Sequence, residues 1–351
     1  MKNWYIIIRH TQMQPHQLFP KGSDNLTITL TIKEDASDYS RTTPSKIENP
    51  HDKFFKETFG HVEVTKSFLH NYLPPSIMKI VDDGTLYPEK DSLIDNELKE
   101  RFSDLLFSAN IDGREGYIYF LFEHKSYPDK AVAFQLLKYM AEIWNTKMTK
   151  EKADQLPVIL PLVIYHGASS WNIETAVGDM IAGYKDLSTE IRKFVPDYQY
   201  LIYDISKYTD QEIKGEARVK ILFTMFRDVQ KAENVQELLV IIDKAVTYLQ
   251  ELDDKQTGID YFETFMRYIF SAAKNLTKEN VDELVRKIEN TYPEGSELVM
   301  TLADILREEG KEEGIKAVAL EMLKKGLSIQ FVAEVTGMDV KEVRRLKEEV
   351  Q

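Results

Sequence analysis

The chain of 351 residues contains no cysteine. This absence excludes disulfides, thiolate zinc sites and cysteine nucleophiles, and it favours a reducing, cytoplasmic compartment. Long hydrophobic runs are also absent: no stretch reaches the roughly 18 apolar residues of a membrane span, so we expect no membrane partner. The histidines follow no zinc-ligand spacing, and we interpret His51, His61 and His70 as ordinary helix residues.

The chain also has no excess of positively charged residues. The chain has 45 basic and 58 acidic residues, which give a formal net charge of −13. An acidic chain is not an obvious nucleic-acid binder, because phosphate contacts depend on lysine and arginine. Binding of DNA would therefore need a local cluster of basic residues, since phosphate responds to the local field rather than to the total charge.

Changes in composition predict four regions. Residues 1–48 are polar and hold three prolines, which favours a loosely ordered extension or a start placed too far upstream. Residues 49–208 mix strand and helix patterns, and residues 209–325 show only helical periodicity. Residues 326–351 resemble a small helix–turn–helix in outline.

The region 49–208 predicts a mixed α/β core. Two short amphipathic helices separated near Gly60 come first. They are followed by the order strand, strand, helix, strand, strand. The predicted strands are 104–110, 117–122, 156–165 and 200–203, and the predicted helix covers 132–144.

Three polar residues, Glu123, His124 and Lys125, directly follow the strand predicted over 117–122, which is apolar on both faces. Packing alone does not favour such an end for a buried strand. Because side chains alternate along a strand, Glu123 and Lys125 share one face and His124 points to the other. The end of this strand is therefore the first candidate for a site of chemistry.

Asp104 begins the neighbouring predicted strand. We choose the hairpin register in which Asn110 opposes Tyr117. Asp104 then falls directly opposite Glu123, with Cβ atoms about 4.5–5.5 Å apart, whereas a shift of one residue would move Asp104 to the other face. Two carboxylates this close repel each other unless a positive charge lies between them.

A divalent cation would supply that charge. Oxygen ligands favour Mg²⁺, or else Mn²⁺, and the main-chain carbonyl of His124 could join Asp104 and Glu123 as a ligand. The metal would lower the pKa of a bound water and shield a phosphodiester. Lys125 could orient or deprotonate that water or hold the scissile phosphate. The structural alternative is a simple ion pair of Glu123 with Lys125.

On the basis of these residues, the chain resembles the recombination-promoting nucleases, a group also described as transposases. These proteins belong to the PD-(D/E)XK nuclease superfamily. The resemblance covers about residues 46–351. It rests on an ordered set of blocks, because the short Asp…Glu-X-Lys pattern has little specificity alone. The matching blocks are 51–57 (HDKFFKE), 104–107 (DLLF), 117–126 (YIYFLFEHKS), 133–136 (AFQL) and 161–167 (PLVIYHG).

The resemblance implies a restriction-endonuclease-like mixed sheet flanked by helices, followed by an all-α C-terminal region. It implies metal-dependent DNA cleavage linked to recombination or mobile elements, with Asp104 and Glu123 as metal ligands and Lys125 as the catalytic lysine. Gln135 matches a polar helix position often aimed at this site, although a hydrogen-bonded pair with Tyr139 explains it equally well. DNA is the expected partner, and double-strand cutting would favour a homodimer.

Two other functions stay open. A transposase-like strand transfer would use the same carboxylates and metal, with Asp204 as the one conceivable third acid. A non-catalytic helical interaction protein would fit the acidic charge and the long helical tail.

Glu57 is interpreted as a solvated helix residue, and His166 as a turn residue. For the basic residues of the tail we favour helix packing or oligomerisation over DNA contact; they are Lys341, Arg344, Arg345 and Lys347.

Overall fold

The computed structural model describes residues 49–89, 103–123, 127–273 and 276–350. The extension predicted over 1–48 lies outside these residues. In the described ranges, no helix is both long and apolar enough to cross a membrane.

A five-stranded mixed sheet forms the centre of the described part of the chain. Its strands lie side by side in chain order: β1 (Val81–Pro88), β2 (Ser103–Ile111), β3 (Arg114–Glu123), β4 (Val158–Tyr165) and β5 (Leu201–Asp204). The neighbours β1, β2 and β3 are antiparallel, whereas β3, β4 and β5 run parallel. The carboxyl ends of β3, β4 and β5 therefore meet at one edge of the sheet.

Three helices cover one face of this sheet, and the first two carry the aromatic residues that pack on it. They are α1 (Pro50–Phe59), α2 (Val62–Tyr72) and the short α3 (Pro75–Met78), with the predicted break at Gly60 between the first two. Phe55 and Phe59 of α1 are fully buried. Phe55 stacks on Phe122 of β3 with ring centroids 4.5 Å apart. Burial of each such side chain contributes about 1.5–3 kcal/mol, which fixes this layer against the sheet.

The opposite face is covered by α4 (Val132–Thr149), which connects β3 to β4. Its buried residues follow helical spacing, as the sequence predicts, and Leu136 and Ile143 are fully buried. Tyr139 packs on Tyr119 of β3 with ring centroids 5.2 Å apart. The segment between β4 and β5 packs beside α4 and contains the short helix α5 (Thr189–Arg192).

The helices beyond residue 208 add to the core on the α1 side of the sheet. They are α6 (Ala217–Asp228), α7 (Val235–Leu249) and α8 (Lys255–Ala272). Phe223 and Phe226 of α6 belong to the same buried cluster as Phe120 and Phe122 of β3. The boundary predicted at 208 thus falls between elements that share one hydrophobic core.

The last helices continue this layer and end in a smaller unit. They are α9 (Lys278–Thr291), α10 (Ser296–Lys324), α11 (Ile329–Thr336) and α12 (Val340–Val350). Ala319, Leu323, Val332 and Val343 form a separate, small core where α10, α11 and α12 meet. Ser328 caps α11, and Gly337 ends it with a φ of 71°. The described fold confirms the predicted class, a mixed sheet flanked by helices and followed by an all-α region.

The register of the β2–β3 hairpin corrects the one chosen from the sequence. Ile111 pairs with Arg114, Asn110 with Glu115, and Asp104 with Leu121, so Asp104 does not face Glu123 directly. The turn contains only Asp112 and Gly113, whose φ angles are 52° and 77°. Asp-Gly is a preferred pair for a two-residue turn with both φ angles positive, and the longer turn assumed from the sequence was wrong.

Candidate functional site

Three polar side chains lie in one row where β3, β4 and β5 end. The parallel register aligns Glu123 with Tyr165, and Tyr165 with Asp204. Residues aligned in this way share a face of the sheet, and here it is the face covered by α4. The row therefore gathers two carboxylates and a phenol at one edge of the sheet.

Glu123 is deeply buried, with only 3% of its surface exposed. It ends a strand in which every residue from 116 to 123 is buried. Taking a carboxylate out of water costs several kcal/mol unless hydrogen bonds or opposite charges compensate for it. Glu123 therefore places an ionisable group, rather than the apolar residue that sheet packing favours, at the edge where β3, β4 and β5 end.

Tyr165 lies between the two carboxylates of the row. Its hydroxyl donates a hydrogen bond to the main-chain oxygen of Ser169 at 2.6 Å. Burial, with a contribution from the negative charges of Asp204 and Glu123, raises the pKa of Tyr165. The place of Tyr165 in this row could not be predicted from the sequence, because the alignment of β3 with β4 is set by the crossover through α4 and not by a local pattern.

Asp204, the conceivable third acid, is held by structural contacts. One carboxylate oxygen accepts the main-chain N–H of Trp171 at 2.8 Å, and the other accepts the hydroxyl of Ser206 at 2.5 Å. The Lys207 ammonium lies 3.3 Å from the first oxygen. These partners occupy both carboxylate oxygens, so Asp204 anchors the segment that follows β4.

Asp104 lies on β2, where its backbone pairs with Leu121. Because Leu121 and Glu123 are two residues apart, position 104 shares their face of the sheet. Position 104 lies two residues along β2 from the position directly opposite Glu123, a distance of roughly 7 Å. The register therefore brings positions 104 and 123 to the same face and edge, despite the corrected pairing.

The other predicted site residues divide into two groups. His124 and Lys125 lie outside the described residues. Gln135 is half-buried on α4, one helical turn before Tyr139 and on the same side of the helix. Its amide nitrogen is buried and has no hydrogen-bond partner in the described ranges. Such a group is costly, and it is a common feature of sites that bind a ligand.

His166 is a buried core residue rather than a turn residue. Its ring stacks between Phe122 and Phe226, with ring centroids 5.2 and 4.4 Å away. These contacts lie on the side of the sheet opposite the α4 face. His51 of α1 packs 4.9 Å from His166 and is 3.1 Å from the hydroxyl of Tyr268. His166 therefore joins β3 to α6, and His51 joins α1 to α8.

The remaining candidates lie on exposed helix surfaces. Glu57 is exposed on α1 with Lys53 at 3.8 Å, as predicted for a solvated helix face. Lys341, Arg344 and Arg345 are exposed on α12, beside the exposed Glu342. In the described residues, no three acidic or histidine side chains form a group that could hold a metal ion. The metal ligands predicted from the sequence, which include residues outside that set, stay predictions.

Comparison with known proteins assigns the family. The family model described as "Putative transposase, YhgA-like" matches residues 49–260, which is more than half of the chain. The chain belongs to this family. The match begins at α1, covers the whole sheet and extends past the predicted boundary at 208 into the helices that cover it.

Curated relatives extend the match to most of the chain. Recombination-promoting nuclease RpnC of Escherichia coli (strain K12) is 27% identical over 306 residues, 85% of this chain and 96% of that protein. Recombination-promoting nuclease RpnA of the same strain is 26% identical over 298 residues, 84% of this chain and 96% of that protein. Inactive recombination-promoting nuclease-like protein RpnE, also of that strain, is 27% identical over 307 residues, 84% of this chain and 97% of that protein. No solved structure matches the chain.

Proposed function

We propose that this protein is a metal-dependent DNA endonuclease of the PD-(D/E)XK type. The observation that carries the proposal is Glu123, a carboxylate that is 3% exposed at the end of a buried strand. Position 104 lies on the same face and edge, which supports a shared role for Asp104 and Glu123. Two relatives named as nucleases, each matched over most of its length, support the same reaction class.

The oxygen donors that these residues carry suit a hard divalent cation. Asp104, Glu123 and the main-chain carbonyl of His124 would hold Mg²⁺, with Mn²⁺ as a substitute, because these ions prefer oxygen ligands. When bound, the metal supplies Lewis-acid stabilisation of charge on the phosphate and makes water more acidic. The end of β3 places the Glu123 carboxylate at this edge, where it would serve as one of the oxygen ligands.

The other side chains would position DNA and move a proton. Lys125 would orient or deprotonate the attacking water, or donate to the scissile phosphate. The buried amide nitrogen of Gln135 would donate to a phosphate oxygen, which would satisfy a group that has no partner in the described residues. Tyr165 would position Glu123 by packing from the neighbouring strand, since its hydroxyl donates to the main-chain oxygen of Ser169.

The test is cleavage of supercoiled plasmid by the purified full-length protein in Mg²⁺, in Ca²⁺ and in EDTA. We expect nicked or linear product in Mg²⁺ and none in EDTA. Glu123→Gln and Asp104→Asn should each slow cleavage by at least roughly a hundredfold, because each removes a metal-binding charge. Lys125→Ala should have a comparable effect.

Glu57→Gln is the matched control, because it removes an exposed carboxylate from α1 and should leave the rate unchanged. Thermal melting followed by circular dichroism establishes that each variant is folded. Cleavage that persists in EDTA, or a fully active Glu123→Gln variant, would refute the proposal.

Two alternative functions predict different products. The contacts of Asp204 with Trp171 and Ser206 weigh against a third catalytic acid, and hence against strand transfer. Joined products from a labelled donor duplex would favour strand transfer all the same. The inactive relative is as similar to this chain as the nucleases are. No cleavage by folded protein in Mg²⁺ or Mn²⁺ would therefore favour a non-catalytic interaction protein.

A further inference from the structure

The solvent-facing side of α4 and the turn before it carry an unusual set of residues. Tyr127 is 69% exposed and Phe134 is 53% exposed, although aromatic side chains of this size normally bury most of their surface. Lys130 and Lys138 are also exposed. Lys138 lies four residues after Phe134, on the same side of α4, and Lys130 lies in the turn that precedes the helix. We call these four residues the α4 strip.

The charge of this surface differs from that of the whole chain. The chain has a net charge of −13. Of the exposed residues between 127 and 150, none is acidic and three are lysines: Lys130, Lys138 and Lys150. The acids in this stretch, Asp129 and Glu142, are only partly exposed, and Asp129 accepts the main-chain N–H of Ala131 at 2.8 Å. A locally basic surface is what an acidic chain needs to bind a polyanion.

The α4 strip lies beside the proposed catalytic edge. The buried side of α4 packs on the strand that ends at Glu123, through Leu136 and Tyr139. Tyr127 follows Glu123 by four residues, so the chain can separate their Cα atoms by at most about 14 Å. Phe134 occupies the first turn of α4, next to Gln135. A nucleic acid whose phosphate reached Glu123 would therefore pass close to the strip.

We infer that the α4 strip binds unpaired DNA bases next to the scissile phosphate, with Phe134 and Tyr127 stacking on bases and Lys130 and Lys138 contacting the backbone. The inference rests on the proposed function and adds a substrate preference to it. Stacking on an aromatic ring requires a base that is free of its duplex neighbours, and it tolerates any base because every base has a π-face. The preferred substrate is thus single-stranded, or locally melted, DNA.

The test measures binding rather than cleavage. A fluorescein-labelled single strand of mixed sequence and the corresponding duplex are titrated with full-length protein in EDTA, and fluorescence anisotropy is recorded. We expect tighter binding of the single strand. Phe134→Ala should weaken that binding by at least roughly fivefold and affect the duplex less, because one stacked base is lost. Phe134→Trp should retain binding.

Phe331→Ala is the matched control, since Phe331 is 47% exposed on α11, away from the strip. Lys138→Ala should reduce the salt dependence of binding by about one counterion. Equal binding of both DNAs, or unchanged single-strand binding by Phe134→Ala, would overturn the inference. So would a Phe134→Ala effect confined to oligomeric state in light scattering, which would identify the strip as a contact between copies.

The two proposals fail in different ways. If the plasmid is cut and Phe134→Ala binds the single strand like the wild type, only the inference is wrong. If the plasmid is not cut and Phe134→Ala loses single-strand binding, the strip binds DNA and only the nuclease proposal is wrong.

Discussion

Lys147 is a buried cation at the end of the sheet opposite to Glu123. It donates hydrogen bonds to Glu115 at 2.8 Å and to Glu151 at 2.7 Å, and Glu115 also accepts the hydroxyl of Tyr117 at 2.7 Å. Burial would lower the pKa of Lys147, but the hydrogen bonds to the two glutamates raise it overall. The hydrogen bonds from Lys147 and Tyr117 lower the pKa of Glu115. This cluster ties the last turns of α4 to β3 and is structural.

At the scale of single residues, Glu115→Gln should lower the free energy of unfolding at pH 7. We expect roughly 0.5–1 kcal/mol, because the Glu115 side chain is 59% exposed and its ion pair is screened by water. The pKa of Glu115 is lower in the folded than in the unfolded protein. Its contribution is therefore complete above the unfolded pKa of about 4.3 and is lost as the pH falls through the folded value.

Urea unfolding at a series of pH values measures this contribution. The difference between wild type and Glu115→Gln should be constant near neutral pH and should shrink below about pH 4.3. Glu57→Gln, which alters an exposed carboxylate on α1, should change stability little at any pH. A difference between wild type and Glu115→Gln that is independent of pH would contradict an electrostatic role for Glu115.

At the scale of elements, helices and strands with a strong hydrophobic pattern could be predicted from the sequence, and those with a weak pattern could not. The helical spacing of Leu136, Met140 and Ile143 predicted α4, and the apolar run at 117–122 predicted β3. The strand β1 was missed, because a register irregularity between Asp82 and Tyr87 leaves only Val81 and Leu86 buried and breaks the alternation.

At the candidate site, Glu123 could be singled out from its place after a buried strand. Its alignment with Tyr165 and Asp204 depends on pairing between strands distant in the sequence.

The hairpin turn gives a prediction at this scale. Gly113 has a φ of 77°, and a Cβ atom added there would meet nothing within 4 Å, so only the backbone opposes a larger residue. Gly113→Ala should therefore destabilise the protein by about 1–2 kcal/mol through backbone strain. Gly310→Ala is the matched control, because it also meets nothing within 4 Å but lies inside α10 without a positive φ.

Gly310→Ala should stabilise the protein by roughly 0.5–1 kcal/mol, since alanine favours a helix more than glycine does. Urea unfolding compares both variants with the wild type. Equal effects of the two substitutions would show that the turn does not depend on the positive φ at residue 113.

At the scale of the whole molecule, the sheet depends on helices that follow it in the chain. Val219 and Phe223 of α6 and Phe262 and Phe265 of α8 are fully buried in the cluster that includes Phe120 of β3. A hydrogen bond of 2.7 Å joins Thr58 of α1 to Tyr261 of α8. Composition suggested a boundary at 208, because strand patterns end there, but the packing that spans it could not be read from periodicity.

A chain ending at residue 208 should therefore not fold cooperatively. Each fully buried aromatic or aliphatic side chain contributes about 1.5–3 kcal/mol. The loss of α6, α7 and α8 removes several such contributions, which together exceed the total stability of about 5–15 kcal/mol expected of a domain. A chain ending at residue 325 retains these helices and loses only α11 and α12, whose core of residues such as Val332 and Val343 is separate.

Urea unfolding monitored by tryptophan fluorescence and by circular dichroism distinguishes the two truncations. The chain ending at 325 should show one transition close to that of the full chain, and the chain ending at 208 should show none. A cooperative transition for the shorter chain would mean that the sheet, with α1 and α4, is a domain by itself. The helices after 208 would then be an attachment to a folded core rather than part of it.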